Sequence, residues 1–65
     1  MKNNIKELLA EKGMKQRQLA AACEIDTGQL NKIILCKTVP GIALALKIAK
    51  ALDVKVEDVW GGEEE

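Results

Sequence analysis

An all-α fold of five short helices is what this 65-residue sequence predicts. Three observations carry that expectation. Apolar residues recur at three- and four-residue spacings along the chain, the signature of one-sided helices. Helix-ending and turn-forming residues, Gly13, Glu24-Ile25 and Pro40, divide that pattern into short segments. Asp26, followed by Gln29 three residues on, is a strong helix start ahead of an apolar run.

Taken in order, Ile5, Leu8 and Leu9 are spaced i, i+3, i+4. They predict a first amphipathic helix over about residues 2–12. Gly13 stops it in the left-handed conformation that closes many helices. A second helix over about 16–23 places Leu19, Ala20 and Cys23 on one face, and Glu24-Ile25 turns the chain. Asp26 then caps a third helix, its carboxylate accepting first-turn amides, with Leu30 and Ile33 inward. Lys37 to Gly41 form a loop around Pro40, which fits only near a helix start. A fourth helix is expected over about 42–52 and a last turn or two over about 56–60, packing Val56, Val59 and Trp60 on the rest. Residues 1–60 make one domain, and residues 61–65, Gly-Gly-Glu-Glu-Glu, a disordered acidic tail. Lys15, Gly41 and Lys55 stand where Ser or Thr would cap, each such loss costing on the order of 1 kcal/mol.

Composition narrows the function. Trp60 is the only aromatic residue, so Leu, Ile, Val and Ala must build the core. No apolar run approaches the roughly 18 residues a membrane span needs. Met1-Lys2-Asn3-Asn4 leads into charged sequence unlike a secretion signal, so a cytoplasmic location is expected. Cys23 and Cys36 are too far apart for a metal knuckle, and there is no histidine to complete one. Two free thiols are expected, with Cys36, in a turn, the one exposed and placed to oxidise across a dimer. His, Ser, Tyr and any glycine-rich phosphate loop are missing, and the acidic residues cluster toward the C-terminal end. The chain is therefore expected to be no enzyme and to take no cofactor, metal or small-molecule ligand.

Formal net charge is zero, which by itself argues against a polyanionic partner. Its distribution argues otherwise. Residues 14–38 carry Lys15, Arg17, Lys32 and Lys37 against only Glu24 and Asp26. The compensating acids lie beyond residue 39, including Glu63, Glu64 and Glu65. A local positive field steers an anion even where the total charge does not.

Two short helices joined by a tight turn form the helix-turn-helix plan. The first helix crosses the phosphate backbone, and the start of the second meets base edges. From Gln16 through Leu19-Ala20 to Ile25, Leu30 and Ile33, the spacing resembles the phage-repressor and Cro-like (Xre-type) helix-turn-helix family. The resemblance runs from Ile5 to Val59. It includes Gly-Met-Lys-Gln-Arg-Gln-Leu-Ala at 13–20, Pro-Gly-Ile-Ala-Leu-Ala-Leu-Lys-Ile-Ala-Lys-Ala-Leu at 40–52 and Asp-Val-Lys-Val-Glu-Asp-Val-Trp at 53–60. It implies a five-helix lambda-repressor-like DNA-binding domain whose second and third helices form the motif. Thr27, Gly28, Gln29 and Lys32 would meet base edges, Lys32 suiting guanine O6 and N7 or a phosphate. Gln16, Arg17, Asn31, Lys37 and Thr38 would contact the backbone, Gln16 also bracing the third helix.

The chain departs from that family in three places. Glu24 stands in the turn where glycine is usual, a residue strained by about 1 kcal/mol at positive φ. Gly28 offers no side chain where a long polar one is common, so either recognition is weak or the backbone approaches the groove closely. Ile34-Leu35-Cys36 replaces the usual Glu-Asn-Gly. Ile33, Ile34 and Leu35 point in different directions around a helix, so a small domain cannot bury all three. The fourth helix is likewise apolar on more than one face, the mark of a helix at an interface. Ile34, Leu35, Cys36 and Leu44 are therefore the expected dimer contact. A two-fold dimer would set two reading helices about 34 Å apart. The leading reading is a homodimeric, sequence-specific double-stranded DNA-binding regulator that represses by occupancy. The alternative is an interaction or oligomerisation module on the same fold with weak or lost DNA binding, favoured by zero net charge, Gly28, Glu24 and the Ile34-Leu35 surface.

Overall fold

A computed structural model describes residues 2–61. Of the tail expected to be disordered over 61–65, residues 62–65 lie outside the described residues. Five helices follow in order: α1 (Ile5–Lys12), α2 (Gln16–Cys23), α3 (Thr27–Ile34), α4 (Ile42–Ala51) and α5 (Val56–Trp60). No strand occurs among the described residues.

The first helix begins three residues later than its periodicity suggests, because two asparagines have other partners. Asn3 Oδ1 accepts the Ile5 amide at 3.1 Å, while Asn3 Nδ2 donates to the Ile33 carbonyl at 3.0 Å. The Asn4 amide donates to Val59 O at 2.8 Å, and its side chain donates to Asp58 O at 3.1 Å. The first residues of the domain thus tie α1 to the ends of α3 and α5.

Four helix ends share one closure. At the end of α1 the Met14 amide reaches back to Leu9 O at 2.9 Å, over Gly13 at φ 64°. Ile25 reaches Ala20 O (3.0 Å), Lys37 reaches Lys32 O (2.8 Å) and Val54 reaches Ala49 O (3.0 Å) in the same way. Each is a Schellman motif, which satisfies orphan carbonyls by placing one residue in the left-handed region. That residue is Glu24 at φ 62°, Cys36 at φ 64° and Asp53 at φ 59°. Only the first of the four positions has the glycine that adopts this conformation without strain.

Two of the poor helix starts are partly relieved from within. Gln18 Oε1 accepts the Lys15 amide at 2.7 Å, and Asp58 Oδ2 accepts the Lys55 amide at 3.0 Å. These are the returning halves of capping boxes, made by the third helical residue. Gly41 has no side chain to supply a cap.

The core is aliphatic. Ile5, Leu9, Leu19, Ala20, Cys23, Leu30, Ile33, Ile48, Ala49, Leu52 and Val59 are buried, and no polar or charged side chain joins them among the described residues. Trp60 packs against this cluster from its edge, half-buried. α2 lies against both α3 and α4, and α4 against α5, so the second helix anchors the third to the body.

Candidate nucleic-acid interface

Helices α2 and α3 are joined by three residues, Glu24, Ile25 and Asp26. Glu24 makes the bend in the left-handed region. Ile25, half-buried, packs against the core and fixes the exit direction. Asp26 then starts α3 in extended conformation, and its Oδ1 accepts the Gln29 amide at 2.7 Å. Buried Leu19, Ala20 and Cys23 on α2 and buried Leu30 and Ile33 on α3 hold the two helices in one relation.

With Leu30 and Ile33 turned inward, the opposite side of α3 is free. Thr27, Gly28, Gln29, Asn31 and Lys32 are all exposed. Arg17 on the first turn of α2, and Lys37 and Thr38 beyond α3, are exposed as well. Gln16 is half-buried between the helices, its Nε2 donating to Asn31 Oδ1 at 3.3 Å. The amide therefore links the start of α2 to the middle of α3, as expected for a brace. Gln29 is capped through its backbone, which leaves its side chain outside.

The two acids of this region already have partners. Asp26 accepts from the start of α3, and Glu24 Oε1 lies 3.5 Å from Lys47 Nζ on α4. That ion pair is largely exposed, so it adds little stability but offsets the turn's negative charge locally. Lys15, Arg17, Lys32 and Lys37 remain exposed. Glu24 has no partner close by in the chain, and only the packing of α4 on α2 brings Lys47 to it.

The expected dimer residues divide. Leu35 is 52% exposed and Cys36 is exposed, whereas Ile34 and Leu44 are half-buried and packed on the core. Three larger apolar exposures escaped the dimer set: Val39 at 67%, Ile42 at 82% and Leu46 at 55%. The all-round apolar character of α4 was the sequence signal for Ile42 and Leu46. Its periodicity alone does not say which side meets the core. Ile42 and Leu46 line an open groove with Val54 and Val56, between α4 and the approach to α5.

No described helix is long and apolar enough to cross a membrane, and the described residues hold no cluster of metal-ligating side chains. Burial raises the Cys23 thiol above its ordinary pKa, with the Lys47 charge opposing more weakly.

The profile of the helix-turn-helix family matches residues 5–59. The chain belongs to the Xre-like helix-turn-helix family. A relative at the same scale is the uncharacterized HTH-type transcriptional regulator YgzD of Bacillus subtilis (strain 168). It is 42% identical over 65 residues, covering 100% of this chain and 98% of the relative. Within this helix-turn-helix domain, the two helices of the motif are α2 and α3, and Glu24-Ile25-Asp26 is the turn. Family and relative together support a DNA-binding transcriptional regulator.

Proposed function

We propose that the protein is a sequence-specific double-stranded DNA-binding regulator that acts as a homodimer and represses by occupying its operator. In this reading α3 enters the major groove. Thr27, Gln29 and Lys32 address base edges, and Gly28 lets the backbone come close. Gln16, Arg17, Asn31, Lys37 and Thr38 hold the phosphate backbone and set the register. Pairing joins two copies through Leu35 and Cys36 over half-buried Ile34 and Leu44, with Ile42 and Leu46 extending the apolar surface. The function is one of occupancy, in the cytoplasm, without catalysis, cofactor or small-molecule ligand.

The observation that carries this reading is the free polar face of α3 beside exposed Lys15, Arg17 and Lys37. Selection of bound sequences from random duplexes tests it. The expected product is a short pseudo-palindrome whose affinity falls steeply with salt. Lys32→Ala is expected to relax the preference at one base pair. Absence of salt-sensitive binding to any duplex would sink the proposal.

A second reading, an interaction module on the same fold, is favoured by zero net charge and by exposed Leu35, Ile42 and Leu46. The two separate cleanly. Gln16→Ala with Lys32→Ala abolishes DNA binding and spares self-association under the first, and affects neither function under the second.

A further inference from the structure

Val39 has no role in the core and no place in the motif, yet it is a large apolar side chain held 67% exposed. It stands in the loop between α3 and α4 and lines an open notch together with residues of the polar face of α3. Asp26, Gly28, Gln29 and Lys32 line that notch together with Val39 and Leu44, and buried Ile33 borders it. The concavity mixes apolar side chains with polar ones, Asp26 and Thr38 included, and lies beside the residues assigned to base edges.

Gly28 lines the notch without a side chain, and its own backbone does not require glycine. Its φ is not in the left-handed region, and an added Cβ would meet only Asp26 Oδ1 at 3.4 Å, an ordinary contact. Glycine inside a helix is less favourable than alanine, so the residue works against α3 where it stands. Close approach of a ligand to the helix backbone is the usual compensation.

Among the groups displayed in the major groove, the thymine 5-methyl is the apolar one. We propose that the notch lined by Gly28 and Val39 seats a thymine methyl, making Val39 a specificity-determining residue contributed by the loop rather than by α3. This rests on the DNA-binding reading above. Gln29 and Lys32 in the same lining address the polar edges of the same or the adjoining base pair, while Val39 discriminates thymine from cytosine by burying one methyl.

Deoxyuridine, which differs from thymidine only by that methyl, provides the test. Each thymine of the selected operator is replaced singly by deoxyuridine, and dissociation constants are measured for the wild type, Val39→Ala and Val39→Ile. One position per half-site is expected to lose roughly fourfold in affinity with the wild-type protein, the effect of one buried methyl. Val39→Ala should abolish that difference at that position alone, and Val39→Ile should keep it. Because Val39 is exposed, both variants should melt like the wild type. Equal affinity for thymine and deoxyuridine at every position, with tight binding otherwise intact, overturns the proposal and leaves the DNA-binding reading standing. So does full discrimination by Val39→Ala. Failure to bind any duplex overturns both together.

Discussion

The side-chain amide of Gln16 donates to Asn31 Oδ1 at 3.3 Å, joining the first residue of α2 to the outer half of α3. Both groups lie near solvent, so the bond competes with water and contributes on the order of 0.5–1 kcal/mol. Its larger effect is geometric. It orients the Asn31 side chain toward α2 on a face whose roll the buried Leu30 and Ile33 set. Asn31→Ala is expected to lower stability by no more than about 1 kcal/mol while weakening DNA affinity at all sequences alike. Thermal melts and binding isotherms on matched and mismatched duplexes check both parts. A change of preferred sequence would show that Asn31 reads a base instead.

Left-handed residues should respond to glycine in a graded way. Glu24 and Cys36 hold positive φ with ordinary side chains, whereas Asp53 is of the type that visits this region more readily. Relief of about 1–2 kcal/mol in the folded state is partly cancelled by the extra freedom glycine gives the unfolded chain. Cys36→Gly and Glu24→Gly should each stabilise by about 0.5–1 kcal/mol, with Asp53→Gly smaller. In a domain of this size the larger pair should raise Tm by about 4 °C. Equal responses at all three positions would contradict the argument.

Stability should fall at alkaline pH through Cys23. The folded protein holds this buried thiol protonated above its ordinary value of 9.0, chiefly because burial disfavours the thiolate. The unfolded chain releases the proton first, so the folded state binds more protons once pH passes 9.0. The contribution is complete below that value and is lost as pH climbs toward the raised one. Comparison of wild type with Cys23→Ala across this range isolates the group: the wild type should decline more steeply. Parallel curves would remove Cys23 as the cause. At neutral pH a thiol reagent should modify Cys23 only on unfolding, whereas Cys36, exposed on the protomer, reacts in the folded state until pairing covers it.

Self-association should depend on exposed aliphatics. Leu35→Lys and Leu46→Glu change side chains that are 52% and 55% exposed, so each should leave the isolated protomer's folding free energy within about 0.5 kcal/mol, any further loss of melting stability being that of the dimer. Sedimentation of the wild type is expected to give a dimer, and the variants a shift toward monomer. A dimer untouched by either substitution would place the contact elsewhere, and a wild-type monomer would end the pairing proposal.

Much of the motif was legible because its signals are local. Periodic Leu19-Ala20-Cys23 and Leu30-Ile33 mark which sides of α2 and α3 turn inward, and therefore which residues are left outside. Asp26 announces the start of α3 by its own chemistry, and its carboxylate takes the Gln29 amide as expected. The late start of α1 was not legible, since Asn3 and Asn4 bond to Ile33, Asp58 and Val59 far along the chain. Nor was the notch beside α3, because Val39 and Gly28 come to line one concavity only when the loop folds back.

By itself, then, the sequence determined the order of the helices, where the first two stop and which face of the third is polar, since propensity, spacing and caps act within a few residues. Tertiary structure alone decided which surplus aliphatics face solvent and which charges find partners. Ile34 and Leu44 were drawn against the core, Ile42 and Leu46 were left outside it, and Lys47 came to Glu24. A core of this size can bury only one side of each helix, and the mutual packing of the five selects that side.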